Sequence, residues 1–88
     1  MVLCMSGARC FVYIIRSCKD PRRYYTGLTS DVAARMTAHN AGRCTHAARA
    51  TPWEIVVVIE LGAERRAIAF EKYLKSGSGV AFAKKHLR

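Results

Sequence analysis

Two short extended segments that have to pair with each other limit what this chain can become. Phe11-Val12-Tyr13-Ile14-Ile15 is an apolar run rich in β-branched and aromatic residues, and Tyr24 to Leu28 opens on two more aromatics. Between them Lys19-Asp20-Pro21-Arg22-Arg23 reads as a polar turn. Strands joined so tightly are antiparallel, because a parallel pair needs a crossover of about a dozen residues or more. A doubly wound parallel sheet is therefore excluded.

The rest of the chain adds helices and one strand. Thr29-Ser30-Asp31 offers side-chain oxygens that can cap a helix. That helix carries Val32, Ala33 and Met36, runs to Asn40 and ends at Gly42, a residue suited to a left-handed C-terminal position. Arg43 to Pro52 reads as a basic, polar loop. Ile55 to Ile59 is β-branched throughout and reads as a buried central strand. Ala63, Ala67, Phe70 and Leu74 recur at helical spacing up to Lys75. Ser76-Gly77-Ser78-Gly79 reads as a turn, and Val80 to Leu87 as a short basic helix. The expected fold is α+β: a small three-stranded antiparallel sheet flanked by helices, in the order β-β-α-β-α-α. A length of 88 residues suits one domain, assigned to residues 11–88 behind a short leader over 1–10.

Charge narrows the partners. Fifteen Lys and Arg against six Asp and Glu leave a formal charge of +9, which attracts polyanions, nucleic acid foremost. An anionic membrane would call for an amphipathic helix with a basic face and a bulky apolar one, and no segment fits. No apolar run is long enough to span a bilayer, and the first residues lack the pattern of a secretory signal, so a cytoplasmic protein is expected. Cys4, Cys10, Cys18 and Cys44 show no C-x-x-C pairing, which argues against structural zinc.

Several residues are able to carry chemistry. Tyr13 and Tyr25, twelve positions apart, present two phenols from one hairpin, and a phenol can exchange a proton with water. Packing within a sheet explains them equally well. Tyr24 should face away from Tyr25 and serve packing or surface contact. Arg35 and His39 stand four apart on one helix face, a cation for a phosphate and an imidazole to move a proton or hold an oxygen; a solvated helix face is the alternative. Glu71 borders the apolar stripe of its helix. It can hold Mg²⁺, which keeps much of its water, or simply pair with Lys75 one turn on. Gly27 would let a backbone or phosphate approach the sheet end.

Phe11-Val12-Tyr13, Tyr25-Thr26-Gly27, Arg35, His39 and the run from Glu71 to Gly79 together resemble the GIY-YIG endonuclease superfamily, most closely its small single-domain bacterial members. Phe11 stands where the family name has glycine, and Thr26 where it has isoleucine. Ser76 is the nearest polar residue to an asparagine that some family members carry after the glutamate helix. The resemblance implies metal-dependent hydrolysis of phosphodiesters by Tyr13, Tyr25, Arg35, His39 and Glu71. Tyr13 would be the base, or Tyr25 with the roles exchanged, and Glu71 would hold one Mg²⁺ or Mn²⁺. DNA is expected before RNA, cut by shape or with weak sequence preference and contacted by Gly27, Arg43, Arg49, Lys75, Lys84 and Lys85. A basic nucleic-acid-binding module on the same fold, without catalysis, is the alternative.

Overall fold

The computed structural model describes residues 9–42 and 51–88. Its elements follow the expected order: β1 (Cys10–Ser17), β2 (Tyr24–Thr29), α1 (Val32–Asn40), β3 (Trp53–Leu61), α2 (Glu64–Lys75) and α3 (Gly77–His86). The sheet is antiparallel throughout, in the spatial order β2-β1-β3.

The hairpin between β1 and β2 is fastened by its own side chains. Ser17 is fully buried, and its Oγ accepts from the backbone N–H of Lys19 at 3.1 Å and of Asp20 at 2.9 Å. The Asp20 carbonyl accepts from the Arg23 N–H at 2.9 Å, which closes the turn. The resulting register sets Tyr13 opposite Gly27 and Ile15 opposite Tyr25.

β1 lies between the other strands and is buried on both faces. Val12 and Ile14 join Ala67, Leu74 and Ala83 under α2 and α3, with Tyr24 and Phe70 packed alongside. Tyr13 and Ile15 turn the other way, toward Trp53, with Tyr25 and Met36 around them. This alternation sorts the packing core to one face and the candidate chemistry to the other.

The apolar run Ile55–Ile59 corrects one expectation. β3 is an edge strand and β1 the central one, and Ile55 and Val58 remain 49% and 37% exposed. β-branched residues suit any pleated, half-covered surface, so a run of them does not distinguish an edge from a centre. The pairing is also irregular: Ile14 faces Val57 while Ile15 faces Ile55, leaving Val56 as the extra residue of a bulge.

The helix ends follow local chemistry. Asp31 caps α1, its carboxylate accepting from the Ala34 N–H at 3.0 Å, and Gly42 takes the left-handed conformation at φ 76°. Ser76-Gly77-Ser78-Gly79, expected as a turn, instead starts α3 directly: Ser76 Oγ accepts from the Gly79 N–H at 3.2 Å. Gly79 is needed there for space, since a Cβ would overlap the Tyr73 carbonyl of α2.

Arg43, Arg49, Cys44 and residues 1–8 of the expected leader lie outside the described residues. Among the described residues no helix is long and apolar enough to cross a membrane.

Candidate active site

β1, β2 and the far end of α1 bring four of the expected residues together. Tyr13 is wholly buried, and its phenol oxygen lies 2.9 Å from His39 Nε2. Arg35, one turn earlier on α1, donates from Nε to the same oxygen at 3.2 Å. The i,i+4 spacing of Arg35 and His39 thus converges on one phenol. Tyr25 completes the group through its ring, 4.9 Å from the imidazole and 6.2 Å from Tyr13 between centroids.

Gly27 makes the arrangement possible. It is buried directly across from Tyr13, and a Cβ on it would collide with the Tyr13 hydroxyl and ring. The Tyr13 side chain occupies the space left free by a glycine, which fixes the direction of its phenol across β2.

His39 is a buried imidazole, and burial first and the Arg35 charge second hold its pKa below the ordinary 6.5. It is therefore neutral near pH 7. Its Nδ1 has no hydrogen-bond partner among the described residues. With the ring proton on Nδ1, Nε2 accepts from the Tyr13 hydroxyl and a chain runs from Arg35 N–H through Tyr13 O–H to His39; with the proton on Nε2, the phenol oxygen accepts from both.

Two residues outside the expected set support this group. Asn40 Oδ1 accepts from the Trp53 backbone N–H at 2.6 Å, tying the end of α1 to the start of β3. The Trp53 ring then closes the cluster, 6.4 Å from His39 and 6.5 Å from Tyr25. Asn40 shows in the sequence only as an asparagine at a helix end, whereas Trp53 lies in the turn Thr51-Pro52-Trp53-Glu54-Ile55, which also resembles the short family members but assigns it no role at the site.

Glu71 is linked to the cluster only through Lys75. α2 packs against β2 and β1, and the Glu71 carboxylate is bound to the Lys75 ammonium. That ammonium lies 5.9 Å from the Tyr25 ring centroid, so the carboxylate borders the Tyr25 side of the site. Only 17% of the Glu71 side chain is exposed, against 51% for Lys75. A single sheltered carboxylate suffices as the one protein ligand of a hydrated divalent ion, which would have to displace the Lys75 ammonium. Among the described residues no three His, Cys, Asp or Glu gather as a chelating group, so a closed zinc-type cage is not what these side chains offer. Lys84 and Lys85 are exposed in the last turn of α3, where they complement the helix dipole.

A family model described as the GIY-YIG catalytic domain matches residues 9–82. No curated protein matches the chain.

Proposed function

The chain belongs to the GIY-YIG family of nuclease domains, whose members generally depend on a divalent ion, and on that premise we propose that it is a DNA endonuclease directed by shape rather than by sequence. The contact that carries this is the buried Tyr13 hydroxyl held between Arg35 and His39. A buried phenol needs hydrogen-bond partners in any fold, and a guanidinium and a neutral imidazole on one oxygen are partners that also equip it to exchange a proton.

In the proposed reaction the Tyr13 proton passes to His39 Nε2, and Arg35 stabilises the phenolate left behind. That oxygen takes a proton from water, and the hydroxide formed attacks phosphorus as the P–O bond to the leaving oxygen breaks; the leaving oxygen takes up a proton from solvent, and His39 gives back the one it received. Tyr13 is wholly buried, so water must gain access to its oxygen while Arg35 Nε stays on it. The rest of the exposed guanidinium would meet a substrate phosphate, whose oxygens its fork matches. Tyr25, partly exposed beside His39, orients the water or the phosphate. Mg²⁺ or Mn²⁺ held by Glu71 would neutralise charge growing on the leaving oxygen.

Nicking of branched, flapped and single-stranded DNA, with and without Mn²⁺, tests the assignment. Tyr13→Phe and Glu71→Ala should each lower nicking by about a hundredfold or more while DNA binding stays near normal. Wild-type rates in Tyr13→Phe with loss in Tyr25→Phe would exchange the two tyrosine roles. No cleavage of any substrate, with salt-sensitive binding retained, would leave a binding module in place of an enzyme.

A further inference from the structure

A groove of about 420 Å³ runs between β2 and the α2–α3 pair, walled by Arg22, Tyr24, Tyr25, Leu74, Lys75 and Arg88. That volume falls within the ~300–1,000 Å³ of sites for small ligands. Its three cations come from separate parts of the chain: the hairpin turn, the last turn of α2 and the residues after α3. Among the described residues no Asp or Glu side chain lines it. Asp20 pairs with Arg22 at 3.3 Å and Glu71 with Lys75, each from outside the wall.

The groove is built rather than incidental. The N–H groups of Leu87 and Arg88 both donate to the Ala83 carbonyl at 2.8 Å, and this anchor leaves the Arg88 guanidinium 4.0 Å over the Tyr24 ring. Tyr24 packs its other side on the Val12–Ile14 core. Glu54 and Glu60 stand on β3, at the opposite edge of the sheet, paired with Arg16 and Arg9.

We infer that this groove seats one nucleotide of the strand next to the scissile bond, its phosphate on Arg22, Lys75 and Arg88 and its sugar or base on Tyr24 and Leu74. The inference rests on the nuclease reading for the word scissile, and on Tyr25 and Lys75, which belong both to the groove wall and to the edge of the candidate site. Lys75 links the two. Lys75 walls the groove while its ammonium is paired with Glu71; a divalent ion held by Glu71 would displace that pairing and leave the ammonium to the phosphate. Metal and nucleic acid then favour each other's binding.

Fluorescence anisotropy of a fluorescein-labelled flapped DNA, with and without Ca²⁺, tests this. Arg22→Gln combined with Arg88→Gln should weaken binding about tenfold and flatten the log–log salt slope by ~0.9 for each phosphate left without its cation. Arg65→Ala, which removes one exposed charge elsewhere on α2, should change binding far less. Lys75→Ala should bind DNA equally well with or without Ca²⁺, losing the gain that the ion gives the wild type. Circular dichroism confirms that each variant is folded. Binding by the double variant within twofold of wild type, or an equal loss in Arg65→Ala, overturns the groove. So does an unchanged KM for nicking in the double variant. A protein that never nicks yet binds more weakly in these variants keeps the groove and defeats the nuclease reading instead.

Discussion

Gly27 and His39 show how tightly single residues are bound into the site. Gly27→Ala sets a methyl group where the Tyr13 hydroxyl now lies, with β2 backbone unable to yield far. Overpacking of this kind costs about 1–3 kcal/mol, so urea unfolding should register the loss, and nicking should fall further than stability alone explains because the phenol is displaced. For His39 the sign follows from its lowered pKa. The folded chain resists a proton that the unfolded chain accepts, so stability present above pH 6.5 is lost as pH falls through that value, down to the folded pKa. Thermal midpoints measured from neutral to acid pH should therefore drop below about pH 6.5 in the wild type. In His39→Gln that segment should be flatter. Tyr13, Tyr25, Arg35 and His39 were all legible as candidates, because residue type and spacing carry that information. That Gly27 exists to receive a phenol was not, since only the cross-strand register sets the two opposite each other.

At the scale of elements, the hairpin and α1 were legible because their signals are local: a polar turn, a capping Asp31, a left-handed Gly42. What failed to show in the sequence was decided by tertiary contact. Ile55–Ile59 and Phe11–Ile15 look equally suited to the middle of a sheet, and only pairing across both sides of β1 settles which one is covered. The glycine-rich stretch after α2 looks like a break, yet Ser76 turns it into the first turn of α3. Gly79 lets α3 pass close by the α2 backbone. Gly79→Ala should force the helices apart, lowering the thermal midpoint by several degrees for a change of about 1–3 kcal/mol in a chain of this size. Ala83 and Leu74 sit in the same core, so amide exchange in α3 should quicken before exchange in β1 does.

Over the whole molecule, four of the six carboxylates are paired with Arg or Lys, and a fifth, Asp31, caps α1. Pairing uses up a cation for each acid, so the surplus of +9 is carried by residues such as Lys72, Lys84 and Lys85. Nucleic-acid binding should consequently weaken steeply with salt, the logarithm of affinity falling linearly with the logarithm of salt at about −0.9 per phosphate neutralised on duplex DNA. A titration over several salt concentrations reads that slope directly, and a flat one removes the polyanion from the account. The charge excess was plain in the sequence; the pairing of Glu54 with Arg16 and of Glu60 with Arg9 was not, because those partners meet only once the sheet is assembled. One consequence belongs to β1 alone. Its four consecutive buried residues, Val12 to Ile15, face the packing core and the phenol cluster by turns, so the same short strand is both foundation and tool mount. A larger enzyme can rework its interior at a distance from its chemistry. Here any substitution that resettles α2 and α3 on Val12 and Ile14 also tilts Tyr13, and heritable changes in robustness and in reactivity should arrive together.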